Sequence, residues 1–311
     1  MTSTDLSLGG DISLLAPFFS ASSRTYWFYL LTAALVAIGV TAWQLRKTPA
    51  EIGSTLRRGV SPKIWLSGSS LLDIKLLALR VLTAMLGLLP EVAGAWVLAT
   101  GLVKNLDRIV GMPTPPDWST ATVSAVYTLV LFIAWDLSRY LVHRLMHAVP
   151  LLWRFHQVHH SATVLTPLTF FRVHPVESLL MHLRGIVTTG LVAGLAYWVF
   201  RQQATMMTFM GVHVLLLGLN ALFGNLRHSH VWLSFGPTIE RWLISPAQHQ
   251  LHHGTTAALQ NCNYGTWLGI WDRLGGSLLV ATERLTVVGL DESNHDPTRL
   301  DSALFGPFKR A

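Results

Sequence analysis

Histidines are the residues whose type and spacing indicate chemistry in this 311-residue chain. Three runs of the form HxxxH, HxxHH and HxxHH contain eight of its 14 histidines: His143 and His147; His156, His159 and His160; His249, His252 and His253. Helix positions i, i+3 and i+4 share one face, so each run would direct its imidazoles to one side. Eight ligands are too many for one zinc ion, but they give four each to two ions about 3.5–4 Å apart. The runs therefore predict a dinuclear metal centre.

The residues around the runs supply further candidates. Imidazole binds iron, zinc, copper and nickel alike, so the ligands leave the metal open. His228 is a candidate ninth ligand, and a histidine that only hydrogen-bonds to a ligand is the alternative. Metal-bound histidines usually donate their second N–H to a carboxylate or a carbonyl. Asp136, seven residues before His143 on the same helical face, would orient that ring. The candidates for such a supporting role, for which ordinary capping or solvated side chains are the alternative, are Asp136, His174, Glu177, His230 and Asp272.

The composition indicates a membrane protein. The chain is 51% hydrophobic and 13% charged, whereas soluble domains carry about a quarter charged residues. A helix that spans a bilayer needs about 20 mostly apolar residues. Five stretches meet this requirement: 26–44, 81–103, 121–141, 179–200 and 204–224. Pro90 and Glu91 interrupt the second stretch and predict a broken or re-entrant span there.

The charge distribution predicts an orientation in the membrane. Seven basic and two acidic residues occupy the loop 45–80, whereas Arg24 is the only basic residue before the first stretch. The positive-inside rule places that loop in the cytoplasm and assigns the net charge of +7 to topology rather than to nucleic acid binding. Residues 142–178 and 225–311, with 12 of the 14 histidines, then fall on the cytoplasmic side. We expect an all-α fold, a polytopic membrane helix bundle with a cytosolic histidine-rich di-metal cap, in the cytoplasmic (inner) membrane.

The three histidine runs and their flanking motifs resemble the fatty acid hydroxylase/sterol desaturase superfamily, including its bacterial members and the alkylglycerol monooxygenases. The supporting motifs are Leu-Trp-Arg-Phe before His156, Asn-Tyr-Gly at 263–265 and Trp-Asp-Arg-Leu-Gly-Gly at 271–276. The likeness covers roughly residues 120–280. Gly275 stands where the family usually has Phe, and Ser277 where it has Thr, which predicts intact ligands and altered packing near the site.

The resemblance implies a helical membrane protein that holds two iron ions (Fe2+/Fe3+), with zinc as a substitute ion. The eight histidines of the runs would be its ligands and catalytic centre. The implied reaction is the O2-dependent hydroxylation or desaturation of a lipid: a fatty acyl chain, a sterol or a related molecule. On this basis the chain divides into an N-terminal membrane-spanning region (1–119), a catalytic domain (120–280) and a C-terminal tail (281–311).

Such a reaction requires electrons from outside the chain. The sequence has no GxGxxG nucleotide fingerprint and no CxxCH haem-attachment motif, and its single cysteine, Cys262, excludes an iron–sulfur cluster held by this chain alone. We expect an external donor such as a ferredoxin, a cytochrome or a reduced pterin.

Two other functions remain as alternatives. A zinc-dependent membrane hydrolase usually carries HExxH, whereas the first run reads HRLMH. A metal or haem transporter would need ionisable groups deep within several spans. The sequence leaves open the lipid, the choice between hydroxylation and desaturation, the regiochemistry, the donor, the oligomeric state, and whether His174, His228 and His230 are ligands.

Overall fold

Helices make up most of the fold. The structure, a computed structural model, describes residues 16–45, 53, 57, 59–85, 91–209, 212–285, 287–290 and 296–309. In these residues the one sheet is an antiparallel pair of two-residue strands, Thr208–Phe209 and Val212–His213. The α-helices are α1 (Ala16–Phe19), α2 (Trp27–Leu45), α3 (Pro62–Trp65), α4 (Gly68–Met85), α5 (Glu91–Ile109), α6 (Thr120–Ala148), α7 (Pro150–His160), α8 (Pro175–Phe200), α9 (Val214–Leu222), α10 (Gly236–Ile239), α11 (Pro246–His252), α12 (Ala257–Gln260), α13 (Ile270–Gly275) and α14 (Leu300–Phe305). Short 3₁₀ turns lie at Pro167–Phe171, Arg201–Gln203, Gly224–Leu226 and Gly306–Phe308.

Two helices are long and apolar enough to cross a membrane. They are Thr120–Ala148, which is α6, and Pro175–Gln203, which is α8 with its 3₁₀ extension. Each has 29 residues, or about 43 Å at 1.5 Å per residue, against a hydrocarbon layer of about 30 Å. The core helix of a soluble protein would bury its leucines, but Leu141 on α6 is 54% exposed and Leu183 on α8 is 51% exposed. These outward-facing apolar side chains suit a lipid environment.

The predicted spans correspond unevenly to these helices. Stretches 121–141 and 179–200 lie within α6 and α8, and stretch 26–44 coincides with the shorter apolar helix α2. Stretch 81–103 falls on the end of α4 and most of α5. Residues 86–90 between them, with the predicted break at Pro90, lie outside the described residues, as do the loop residues 46–52.

The prediction of a spanning helix over 204–224 is wrong. This stretch forms the short strand pair and then α9, whose nine residues extend only about 13.5 Å. Its backbone is bonded to neighbouring elements instead, since the Met207 amide donates to Thr128 Oγ1 of α6 and the Val214 amide donates to the Met207 carbonyl. Hydropathy counts apolar side chains and takes no account of such backbone partners, which explains the error.

Helices α5 and α8 pack through small residues. A Cβ atom on Gly190 of α8 would lie 2.9 Å from Leu98 Cβ and 3.0 Å from the Ala95 carbonyl oxygen of α5. Gly194, one turn later, is similarly close to Ala99. Small residues four apart let two helix backbones approach each other closely. This contact holds α5 against the helix that begins beside the histidine runs.

We expect Gly190→Ala to destabilise the protein by about 1–3 kcal/mol, because the added methyl group has to push α5 and α8 apart. The measurement is the melting temperature of the full chain in detergent, followed by size-exclusion chromatography. The matched control is Gly101→Ala on α5, where a Cβ atom meets nothing within 4 Å. This control should be neutral or stabilising by up to about 1 kcal/mol, since alanine favours helix. Equal melting temperatures for the two variants would contradict tight packing at Gly190.

Candidate metal centre

The fold brings nine histidines together in two groups. The five-histidine group contains His143, His147, His156, His160 and His252. The four-histidine group contains His159, His228, His249 and His253. Within each group the ring nitrogens that face one another all lie within 4.8 Å, and seven of the nine residues are buried. The nine are the eight residues of the runs plus His228, so the structure places every predicted ligand in one of two potential metal sites.

Each HxxHH run contributes to both groups. In α7 the i and i+4 residues, His156 and His160, join the five-histidine group, and His159 between them joins the other. In and after α11 the assignment is reversed, since His249 and His253 join the four-histidine group and His252 crosses to the first. Each HxxHH run, expected to direct its rings to one side, therefore divides them between two neighbouring sites. The shared runs join these two sites into one centre.

Local sequence signals form the helices that hold the runs. Helix α6 ends at Ala148, Val149 is extended, and Pro150 starts α7, so the chain turns between the first and second runs. Helix α11 begins with a capping box, in which Ser245 Oγ accepts from the Gln248 amide and Gln248 Oε1 accepts from the Ser245 amide. A seven-residue helix is marginal by itself, and this cap fixes where the third run begins.

Hydrogen bonds at Nδ1 fix the tautomers in the five-histidine group. The Nδ1–H of His143 donates to the Tyr264 carbonyl (2.7 Å), and that of His252 donates to the Cys262 carbonyl (2.7 Å). His156 Nδ1 lies 2.9 Å from Glu177 Oε1. A neutral imidazole carries one N–H and one lone pair. In neutral His143 and His252 the lone pair is therefore on Nε2. His156 would present its own lone pair there when it binds a metal ion.

The Nε2 atoms of these three rings converge. His143 Nε2 lies 3.0 Å from His156 Nε2 and 3.1 Å from His252 Nε2. Acceptors at this distance repel one another unless a cation lies between them. Beside them, His147 Nε2 and both ring nitrogens of His160 are buried and have no hydrogen-bond partner among the described residues. The donor set therefore fits a bound metal ion better than it fits a set of structural histidines.

In the four-histidine group the ring protons are not all on the same nitrogen. His159 Nδ1 donates to the Arg172 carbonyl (3.2 Å), which again leaves Nε2 as the acceptor. His249 Nδ1 instead accepts from Arg227 Nη2 (3.0 Å), so the ring proton of neutral His249 is on Nε2, 2.9 Å from His228 Nε2. To bind an ion through Nε2, neutral His249 would have to move this proton to Nδ1 and give up the hydrogen bond from Arg227. His253 Nδ1 is buried without a partner in the described part of the chain.

Burial disfavours the charged form of the imidazoles around His156. Desolvation, followed by the charge of His156, lowers the pKa of His159 to about 3. Desolvation and then neighbouring histidines lower the pKa of His160 and His253 well below the ordinary value, and desolvation and then His156 do the same for His252. Neutral rings offer their lone pairs at physiological pH, which metal binding requires.

Among the predicted supporting residues, Glu177 contacts a histidine directly. Asp272 supports a histidine indirectly, through the backbone of a turn. Asp272 is buried and accepts from the amides of Tyr264 (2.8 Å) and Gly265 (2.7 Å). It thereby fixes the turn that contains Tyr264, whose carbonyl accepts the hydrogen bond from His143 Nδ1. Burial raises the pKa of Asp272 to about 6, although these hydrogen bonds oppose the shift.

Asp136 holds the same turn at its other end rather than orienting His143. Its carboxylate accepts from the amides of Trp267 and Leu268 and from Trp271 Nε1, each at 3.0 Å. A carboxylate on α6 is thus bonded to the segment that leads into α13.

The remaining two candidates lie outside both groups. His174 caps the N-terminus of α8 by accepting from the Val176 amide (3.1 Å), and its Nε2 lies 3.1 Å from the Leu304 carbonyl. His230 is exposed, and its carbonyl accepts from Arg284.

Gly275, which departs from the motif that the sequence resembles, lies beside two side chains of α6. A Cβ atom at Gly275 would collide with the Tyr140 hydroxyl and with Arg144 Nη1. Arg144 donates to Tyr140 Oη (2.7 Å) and to the Gly275 carbonyl (2.8 Å). Two side chains of α6 therefore occupy the space beside Gly275.

Sequence reasoning missed the buried Arg172. It pairs with Asp73 of α4 (3.0 Å, both fully buried), and it also donates to the carbonyls of Val158 and Pro297. Its own carbonyl receives His159, so this ion pair connects α4 and the C-terminal segment to the second run. Asp73, the one acidic residue of the mostly apolar helix α4, was the available signal, because an acid there usually has a partner.

A cavity of about 840 Å³ reaches both groups. Five of the nine histidines line it: His143, His156, His159, His228 and His249. Phe170 and Phe171 also line it. This volume is in the range of pockets that enclose small organic ligands.

The chain thus combines a helical fold, two candidate membrane spans among the described residues and two histidine groups that could hold metal ions. Sequence comparison gives one family match. Residues 128–277, which contain all nine histidines, match the fatty acid hydroxylase family. This match, over just under half of the chain, confirms the resemblance seen in its motifs.

Three curated relatives match more than half of this chain. The chain is 30% identical to the ornithine lipid hydroxylase of Rhizobium tropici over 163 residues, which are 52% of this chain and 44% of the relative. It is 30% identical to human alkylglycerol monooxygenase over 183 residues, 59% of this chain and 35% of that enzyme. It is 28% identical to a delta(7)-sterol 5(6)-desaturase of Gibberella zeae over 255 residues, 81% of this chain and 64% of the relative. The chain thus spans less than half the length of the first two. No solved structure matches it.

The two groups predict a loss of metal on histidine substitution. We expect His160→Ala and His253→Ala, one from each group, to lower the metal content of the full chain purified from iron-replete cells. Inductively coupled plasma mass spectrometry gives the ions bound per chain. His230→Ala, exposed and outside both groups, is the control and should keep the wild-type content. Wild-type content in both test variants would contradict the assignment.

The hydrogen bond between Glu177 and His156 predicts a partial loss of metal affinity when Glu177 is replaced. We expect Glu177→Gln to weaken metal binding by about 10–100-fold, because the carboxylate that fixes the His156 tautomer is lost. Titration of metal-free full chain against a chelator of known affinity measures this change. Glu283→Gln, at an exposed position, should bind as the wild type does. An unchanged affinity in Glu177→Gln would show that His156 needs no such partner.

Proposed function

We propose that this chain is a membrane-bound di-iron oxygenase that hydroxylates or desaturates a lipid, using O2 and an external electron donor. The convergence of nine imidazoles, seven of them buried, beside a cavity is the observation that carries the proposal. The relatives support it, because each bears the name of a lipid-oxidising enzyme.

The proposed ligands are the eight histidines of the runs and His228. Two iron ions bound there would supply the redox chemistry that oxidation of a C–H bond needs, which zinc as a substitute ion would not. The residues around them have positioning roles. Glu177 and the carbonyls of Tyr264 and Cys262 hold the rings in the required tautomer, and the burial of the rings keeps water away from the centre.

The overall reaction balances with an external donor. In hydroxylation one atom of O2 enters the lipid as a hydroxyl group and the other leaves as water, with two electrons from the donor and two protons from solvent. In desaturation the lipid loses two hydrogen atoms and both oxygen atoms leave as water. A ferredoxin, a cytochrome or a reduced pterin would serve as the donor.

The lipid would enter from the bilayer. The exposed apolar faces of α6 and α8 support an integral membrane position for the domain 120–280, with the region 1–119 contributing further membrane helices. We place the histidine groups at the cytoplasmic face of the inner membrane, on the strength of the basic loop 45–80. The segment 281–311 completes this face, since Phe308 packs against Phe155 of α7.

The hydrolase alternative loses support at the first run. Arg144 stands where HExxH has its glutamate, and it donates to Tyr140 and Gly275 rather than facing the histidine groups. A general base is therefore not supplied from that position.

Lipid analysis tests the proposal. Cells expressing the full chain should accumulate lipids that have gained one oxygen atom or lost two hydrogen atoms, as measured by mass spectrometry of total lipids under aerobic, iron-replete growth. The His159→Ala/His252→Ala variant, which removes one ligand from each group, should abolish these products. His230→Ala should retain them. Identical lipid profiles for the wild type and the double variant would refute the proposed function.

A further inference from the structure

An exposed surface of apolar and basic side chains lies beside the second half of α6. Two segments form it, the residues from Ile239 to Leu243 and the helix α13. These segments are joined, because the Gly269 amide donates to the Trp242 carbonyl (2.8 Å) and the Arg273 guanidinium lies over the Trp242 ring (5.1 Å). We call this surface the Trp242 patch, and its exposed side chains are Ile239, Arg241, Trp242, Leu243, Arg273 and Leu274.

Two hydrogen bonds between α6 and α13 give the level of the patch along α6. Trp271 Nε1 donates to the Asp136 carboxylate (3.0 Å), and Arg144 Nη1 donates to the Gly275 carbonyl (2.8 Å). Counted from Thr120, the first residue of α6, Asp136 lies about 24 Å along the helix axis and Arg144 about 36 Å, at 1.5 Å per residue. The patch therefore lies between about 24 and 36 Å from the start of this candidate span.

The start of α6 lies at a polar edge of the helices. Trp118, two residues before α6, packs against Phe200 of α8, with 5.4 Å between the ring centroids. The next residue, Arg201, pairs with Asp107 of α5 (2.9 Å), and both side chains are partly exposed. A hydrocarbon layer of about 30 Å that begins at this edge would end between the two hydrogen bonds to α13. The Trp242 patch thus lies where the layer meets the opposite head groups.

The apolar side chains of the patch suit this level. Leu274 is 74% exposed, Trp242 54% and Ile239 50%. Neighbouring apolar side chains on a surface mark a contact with a membrane or with another protein. Tryptophan is enriched where hydrocarbon meets head groups, because its ring is apolar and its N–H is polar. Beside a candidate membrane span, these side chains fit the bilayer better than they fit water.

The charges of the patch are separated by sign. Glu240 and Asp272 each precede an arginine in the sequence, and both acids are fully buried. Their oxygens accept hydrogen bonds from groups inside the protein. The arginines that follow them, Arg241 and Arg273, are exposed and form no ion pair in the described part of the chain. The acids thus face inward and the arginines outward, so the patch presents positive charge.

We propose that the Trp242 patch lies in the head-group layer of the bilayer and binds anionic phospholipids through Arg241 and Arg273. Trp242 and Leu274 reach the first carbons of the acyl chains, while the guanidinium groups bond to lipid phosphates. This assignment rests on the membrane position given under the proposed function. It also connects the lipid surface to the histidines, because Asp272 of α13 holds the turn whose carbonyl accepts from His143.

A fluorescent label at position 274 tests the depth of the patch. The full chain with Leu274→Cys is labelled with bimane in phosphatidylcholine nanodiscs, and quenching by a phospholipid spin-labelled near its head group is compared with quenching by iodide. We expect quenching by the lipid and little by iodide. Leu129→Cys, at an exposed position of α6, is the lipid reference, and Arg299→Cys, at an exposed ion pair, is the water reference. Cys262 is buried, and the wild type measures any label that it takes up.

The same label tests the charge of the patch. Spin-labelled phosphatidylglycerol should reach half-maximal quenching at a concentration at least about fivefold lower than spin-labelled phosphatidylcholine, since each arginine near an anionic head group contributes about a factor of five. Salt should reduce this preference. Arg241→Gln/Arg273→Gln should abolish it, and Arg241→Lys/Arg273→Lys should keep it. Arg299→Gln in the same labelled chain is the matched control and should leave it unchanged. Should the glutamine variant fail to fold, the salt dependence decides.

Three results would overturn the assignment. Iodide quenching as strong at position 274 as at position 299 would indicate a surface for a water-soluble partner. Protection from both quenchers would indicate that a second copy of the chain covers the patch. A preference for phosphatidylglycerol that is missing, independent of salt or unchanged in the folded glutamine variant would exclude the arginines as its cause.

This test is separable from that of the proposed function. Lipid contact at position 274 in a chain that oxidises no lipid would leave the patch assignment standing and refute the oxygenase. Lipid oxidation by a chain whose position 274 lies in water would do the reverse.

Discussion

Neutral imidazoles buried with their lone pairs facing one another are the constraint on which the rest of the structure depends. A histidine can satisfy one neighbour as a donor and another as an acceptor, but neutral His143 and His252 each use their only proton at Nδ1. Their Nε2 atoms then meet as acceptors, 3.1 Å apart. Since burial also disfavours protonation, shared cations are the remaining way to stabilise the arrangement. The scaffold has to hold the rings in place against this repulsion.

Much of the surrounding polar structure supports the rings indirectly, by fixing the backbone carbonyls that accept hydrogen bonds from them. Asp272 binds the turn whose carbonyl receives His143, and Asp136 binds the continuation of that turn. Arg172, paired with Asp73, presents the carbonyl that receives His159. These buried charges are expensive in a protein interior and are tolerated because each is fully hydrogen-bonded. The metal centre is therefore connected to α4, α6 and the C-terminal segment by polar contacts rather than by helix packing alone.

The sequence predicted the helical class, the positions of α6 and α8 and the nine histidines that meet, because helical periodicity and apolar length are local properties. It failed over 204–224, where bonds to Thr128 replace a spanning helix. It also assigned Asp136 to His143, since seven residues along a helix return to the same face, but that carboxylate binds the distant Trp267 amide instead. Contacts between segments more than a hundred residues apart leave no trace in local spacing.

By itself, the sequence determined that three histidine runs would each present their rings on one side of a helix, and that the chain carries too little charge for an ordinary soluble surface. Tertiary structure alone decided how the rings divide between two sites, because that depends on the angle at which α7 and α11 meet α6. It also decided that arginines as distant in the chain as Arg24 and Arg227 would line one cavity. Neither arrangement follows from residue type, since both are set by which segments the folded chain brings within a few ångströms.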